Sequence, residues 1–95
     1  MSTEPAFDAG APWQLHPSVA VRAERFGALL YHFGTRRLSF LKDRRLLDVV
    51  EHLACHPSAL DACRAAGVQP PEQAAFTVAL ARLAEGDMLV PGGPR

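Results

Sequence analysis

Ninety-five residues amount to one small domain, since a domain commonly takes about 100–200 residues, and a 48% apolar content is enough for one core. Ten Lys and Arg balance ten Asp and Glu, so the chain lacks the net positive charge of a generic nucleic-acid binder. No apolar run approaches the ~18–20 residues of a membrane span, the acidic start Met1–Asp8 has no secretory n-region, and two cysteines are too few for a disulfide framework.

Residues 1–12 hold Pro5, Gly10 and Pro12 among few apolar residues and read as a loose tail, as do residues 91–95. The folded domain is expected over 13–90. Val19 and Val21 alternate with Ala20 and Arg22, the period-2 signature of a half-buried strand. Leu29, Tyr31 and Phe33 alternate with Leu30 and His32 to give a second strand, and Leu38 and Phe40 alternate with Arg37 and Ser39 to give a third.

Between the last two strands, Phe33-Gly34-Thr35-Arg36 suits a two-residue type II′ turn with Gly34 at the position that needs φ > 0. Pairing Phe33 with Arg36 sets Tyr31 opposite Leu38 and Leu29 opposite Phe40. All four large apolar residues then share one face, which is expected to pack on the helices, whereas a one-residue slip would scatter them. The other face, Leu30, His32, Arg37, Ser39 and Leu41, reads as mixed and part-exposed, with His32 a solvated neighbour of Arg37.

Three helices follow. Asp43 caps the first, whose stripe is Leu46, Leu47, Val50, Leu53 and Ala54, and His56-Pro57 ends it. Ser58 caps a short second helix that carries Leu60 and Cys63 and stops at Gly67. Pro70-Pro71-Glu72 opens the third, with Phe76, Ala79, Leu80 and Leu83 on one face and Gly86 at its end. Met88-Leu89-Val90 is expected to fold back on the core. The fold class is therefore α+β, winged-helix-like, a three-stranded antiparallel sheet followed by three helices (β-β-β-α-α-α).

Few constellations carry chemistry. His52, Cys55 and His56 share a helical face, but Cys63 lies beyond a proline, and imidazoles are favoured at a helix C-terminus in any case. No metal or other cofactor is expected. There is no CxxC pair, nucleophile elbow or phosphate loop, so the chain is read as no enzyme. The third helix, with Arg82 against Glu72 and Glu85, has the wrong composition for a DNA-recognition helix. A winged-helix DNA-binding protein is the alternative reading, carried by the basic hairpin alone.

That hairpin is unusual in charge. Between positions 22 and 45, seven basic residues meet only Glu24 and Asp43, a local balance of +5 that the rest of the chain offsets. The bland reading is a solvated, gatekept edge. The functional one is β-augmentation: the third strand, Arg37 to Leu41, has no proline or glycine to blunt its outer edge, so an extended peptide can add to it.

The run Trp13-Gln-Leu-His-Pro17-Ser-Val-Ala-Val21-Arg-Ala-Glu-Arg-Phe26-Gly-Ala-Leu-Leu-Tyr31-His-Phe-Gly-Thr-Arg36-Arg-Leu-Ser-Phe-Leu41 closely resembles the mycofactocin biosynthesis peptide chaperone family. These are small proteins of the pyrroloquinoline-quinone D-like class of peptide recognition elements. The likeness continues more loosely through Leu46–Leu53 and the closing helix. It implies a cytoplasmic, non-catalytic protein that binds the leader of a ribosomally made precursor peptide as an added strand. The cargo would be presented to a radical S-adenosylmethionine maturase, which owns the iron–sulfur clusters. It further implies a leader groove between the third strand and third helix. Here the strand offers Arg37, Leu38, Ser39, Phe40 and Leu41, and the helix offers Ala75, Val78 and Arg82. No nucleic acid or membrane partner is implied, and the open edge leaves room for a homodimer.

Overall fold

The structure, a computed structural model, describes residues 7–92. Strand β1 covers Trp13–Leu15, β2 Val19–Glu24, β3 Gly27–His32 and β4 Arg37–Leu41. Helices α1 (Arg44–His52), α2 (Ala59–Ala65) and α3 (Gln73–Glu85) follow, and β5 (Leu89–Pro91) closes the order. The antiparallel sheet β2-β3-β4 and the three helices agree with the expected α+β class. The fold-back of Met88–Val90 becomes a second, two-stranded sheet, β1 with β5. Strands of three residues are too short to show periodicity, so neither is legible as a strand in the sequence.

The helix starts follow local chemistry. The Asp43 carboxylate accepts from the Arg45 amide, and the Ser58 hydroxyl accepts from the Asp61 amide, each satisfying a donor that the first turn leaves free. Gly67 takes φ 89 behind α2, and Pro70–Glu72 forms a single 3-10 turn ahead of α3.

The hairpin keeps the expected register, Tyr31 opposite Leu38 and Leu29 opposite Phe40. Its turn and its facing both differ from expectation. The loop has four residues, 33–36, closed by a bond from the Arg36 amide to the His32 carbonyl (2.7 Å). Arg36, not Gly34, adopts the left-handed conformation, at φ 62. The His32 ring explains why: its Nδ1 accepts from the amides of Gly34 (3.0 Å) and Thr35 (3.2 Å), which a two-residue turn would not bring together.

The sheet is packed the other way up. Ala28, Leu30 and Leu41 are fully buried and His32 is only 4% exposed, whereas Leu38 and Phe40 are exposed. Where β3 begins, a Cβ on Gly27 would lie 1.9 Å from the Leu41 carbonyl oxygen, so backbone meets backbone at the end of β4. Val19 and Val21 pair with His32 and Leu30 and turn to the same buried side. His32 is thus a cross-strand neighbour of Arg37, but a buried one, its ring tilted against that of His16 with centroids 4.3 Å apart.

The first segment also differs from the loose tail expected over 1–12. Residues 1–6 lie outside the described residues, but 7–12 are docked. The Trp13 indole donates to the Asp8 carbonyl, Phe7 stacks on Trp13 at 4.7 Å, and the amides of Ala59 and Leu60 donate to Ala11 and Ala9. The free amides at the start of α2 need acceptors, and this segment supplies them. At the other end, Pro91 pairs with Trp13 and the Gly92 amide donates to Pro12. Residues 93–95 lie outside the described residues. No helix among the described residues is long and apolar enough to cross a membrane.

Candidate functional site

Strand β4 is the last strand of its sheet, and no strand among the described residues pairs with its outer side. Successive residues of a strand point their main-chain groups to opposite sides. The Phe33 amide donates to the Ser18 carbonyl on the β2 side, which sets the alternation along β3. Hence His32, Leu30 and Ala28 face β4 and pair with Arg37, Ser39 and Leu41. The amides and carbonyls of Leu38 and Phe40 are left pointing off the open edge. Their side chains lie on the outward face, while Ser39 and Leu41 turn toward the helices.

Beside this edge runs an open groove of about 630 Å³ between β4 and α3. Ser39, Phe40 and Leu41 form one wall. Ala75, Phe76, Ala79, Arg82 and Leu83 form the other, and Leu46 of α1 lies at its base. Of the eight residues expected from the sequence, Ser39, Phe40, Leu41, Ala75 and Arg82 meet along this groove. Arg37, Leu38 and Val78 do not line it, although Leu38 contributes its free main-chain groups. Leu41 is buried and acts as floor.

The sequence reading missed Lys42, Asp43, Leu46, Phe76, Ala79 and Leu83. The last four belong to the apolar stripes of α1 and α3, and periodicity assigns such residues to the core. The stripe of α3 is wide enough that one flank faces the groove. Small Ala75 and Ala79 keep that flank low.

One end of the groove is clamped. Arg45 binds Glu72 through both terminal nitrogens, at 2.9 Å and 2.7 Å, and reaches Asp43 at 3.1 Å. Its guanidinium also lies 5.2 Å from the centroid of the Phe76 ring. The Arg45 side-chain hydrogen bonds hold the carboxyls of Glu72 and Asp43 below the usual carboxylate range, and Arg45 holds its own proton more tightly in return. With Asp43 and Glu72 engaged this way, Lys42 and Arg82 are the exposed cations on the two walls.

The remaining candidates do not converge. His52 Nδ1 lies 2.8 Å from the Asp48 carbonyl, and Cys55 is exposed. Cys63 is buried in the core, where burial pushes its thiol up. Among the described residues no three His, Cys, Asp or Glu side chains gather as metal ligands would.

The model of the peptide chaperone MftB family matches residues 12–90. The peptide chaperone MftB of Mycolicibacterium smegmatis is 55% identical over 98 residues, covering 99% of this chain and 96% of that protein. Those of Mycobacterium ulcerans and Mycobacterium tuberculosis are 60% and 58% identical, each covering 90% of this chain and 79% and 78% of the relative. No solved structure matches.

Proposed function

Since this chain belongs to the peptide chaperone MftB family, a non-catalytic family of mycofactocin biosynthesis, we propose that it carries the leader of a ribosomally made precursor peptide as an added strand on β4. It presents that cargo to a radical S-adenosylmethionine maturase, which performs the chemistry. The observation that carries this reading is the unpaired edge of β4 lying directly beside a groove lined by small and apolar side chains.

The energetics suit a carrier. Leu38 and Phe40 offer four main-chain groups, each bond worth about 0.5–1.5 kcal/mol net. Micromolar affinity corresponds to about 8 kcal/mol, so main-chain pairing alone falls short. Side-chain burial must supply the balance, at about 1.5–3 kcal/mol per fully buried apolar side chain. A strand on β4 places alternate side chains over Ala75 and Ala79, where there is room for them. Lys42 and Arg82 favour a leader with carboxylates among its apolar residues.

Titrating a synthetic precursor leader into isotopically labelled protein tests the reading. Amide shifts should concentrate in 37–42 and 75–83. Shifts confined to β2 or α2 would overturn it.

A further inference from the structure

The face of the β2–β3–β4 sheet turned away from the helices is the apolar one. It carries Leu29, Tyr31, Leu38 and Phe40, and the turns add Phe26, 5.8 Å from Phe40, and Phe33, 5.0 Å from Tyr31. Phe33 and Leu38 are each 63% exposed, Phe40 62% and Phe26 49%. Side chains of that size and exposure leave about 400 Å² of contiguous apolar surface open, within the ~300–600 Å² of patches that are often functional. No folding requirement explains the placement, because the core is built on the opposite face.

We propose that this outward sheet face is the surface on which the maturase docks, through an apolar patch bordered by carboxylates. The inference rests on the carrier reading and adds the surface and chemistry of the second partner. Charge supplies the first argument. Arg25 sits beside Phe26 in one turn and Arg36 closes the turn that Phe33 opens, and both are exposed. Arg22, paired with Leu29, lies on this same face and is bonded to Glu24 at 2.9 Å. An apolar centre with a cationic border fits a partner of matching shape and opposite charge.

A second copy fits badly. Face-to-face pairing is isologous, so the basic turns would meet one another or lie close. The paired area of about 800 Å² also falls below the ~1,200–2,000 Å² of stable interfaces. Such an area does suit a transient handover. Continuity supplies the second argument, and it sets a protein above a lipid surface. A strand added to β4 turns every other side chain to the outward face, beside Leu38 and Phe40. The cargo thus widens the patch, and a partner seated there contacts carrier and leader together.

The test uses the full chain, a synthetic precursor leader and the purified maturase immobilised for interferometry. Phe33→Ser and the pair Arg25→Glu/Arg36→Asp are compared with wild type after circular dichroism confirms folding. Neither variant touches the groove, and Asp tolerates the positive φ at position 36. Leader affinity should stay within about twofold, while affinity for the maturase falls about tenfold or more. The charge-reversed variant should also lose most of the salt dependence of docking. Unchanged maturase affinity in both variants overturns the proposal. So does a wild-type dimer that Phe33→Ser dissociates, or Phe33-dependent binding to phosphatidylglycerol vesicles without any to the maturase. A wild type that docks through Phe33 yet fails to bind the leader overturns the carrier reading and still supports the docking surface.

Discussion

Arg45 and Glu72, 27 residues apart in sequence, form a two-pronged ion pair at 2.7 Å and 2.9 Å that ties the start of α1 to the start of α3. Strand β4 leads directly into α1 through Asp43, so this contact joins the two walls of the groove at one end. Side chains of intermediate exposure make exposed ion pairs weak stabilisers. The consequence is therefore expected in groove geometry more than in stability.

Replacing Arg45 with Met keeps an apolar stem near Phe76 and removes the clamp. Leader affinity should fall about three- to tenfold by calorimetry, with a thermal midpoint lower by only a few degrees. The pH dependence has a definite sign. Glu72 and Asp43 are depressed in the folded state, so their contribution is present above the unfolded carboxylate values and is lost as pH falls through the folded ones. The stability gap between wild type and Arg45→Met should thus close as pH drops below about 4. A gap that stays constant to pH 2.5 would contradict this.

Proline distinguishes the two sides of β4. The Phe40 amide points off the edge, so Phe40→Pro leaves the β3 ladder intact and removes one donor from the leader's partner set. Phe40→Ala controls for the lost ring. The proline variant should bind leader about five- to tenfold more weakly than the alanine variant, a difference near 1 kcal/mol. Ser39→Pro instead cuts a bond to Leu30 inside the sheet and should unfold at markedly lower urea. Equal leader affinity in Phe40→Pro and Phe40→Ala would argue against strand addition at this edge.

The sequence makes the hairpin register legible, because the spacing from Leu29 to Phe40 admits one alignment that groups the large apolar residues. It misleads about which side is buried, since size and hydropathy favour the Leu29–Tyr31–Leu38–Phe40 face. The correcting signal was present in β2. Carried one strand further, the same register puts Arg22 beside Leu29 and sets Val19 and Val21 with His32 and Leu30. Gly27 is a second signal, a residue without a side chain where backbone must meet backbone. The groove was half legible: its strand wall follows from an unblunted edge, but Phe76 and Ala79 look like core until the helix is placed.

His32 is predicted to hold the hairpin loop in its four-residue form. Its Nδ1 accepts two amides, which leaves the proton on Nε2, a buried nitrogen without a partner among the described residues. His32→Leu should cost about 0.5–1.5 kcal/mol in denaturant unfolding, the net worth of hydrogen bonds whose donors, on exposed Gly34 and Thr35, water can take over. His32→Asn, whose side-chain oxygen can accept the same amides, should recover part of that loss. The Gly34 and Thr35 amide shifts report the bonds directly, and their persistence in His32→Leu would remove the assigned role.

Gly27 is expected to tolerate no side chain. Its φ is 152, and an added Cβ would meet the Leu41 carbonyl oxygen at 1.9 Å and the Asp43 amide nitrogen at 3.1 Å. Both atoms are backbone, so relief requires moving the end of β4. Gly27→Ala should lower unfolding free energy by about 2–4 kcal/mol. Full stability in that variant would show that β4 can shift outward freely.

The groove itself can be filled from the helix side. Ala75 is exposed on the α3 wall and contributes nothing to the core, so Ala75→Trp should leave the unfolding midpoint nearly unchanged. The indole would occupy the space that a leader side chain needs, and the lost burial of one large side chain corresponds to about 1.5–3 kcal/mol. Leader affinity should therefore fall about 10- to 150-fold. Ala65→Trp, on the exposed side of α2 and outside the groove, controls for surface indole. Maturase docking without leader should survive both substitutions, because the outward sheet face is untouched. Equal leader affinity in Ala75→Trp and Ala65→Trp would mean that the peptide rides the edge without entering the groove, and specificity would have to be sought on the outward side of the added strand.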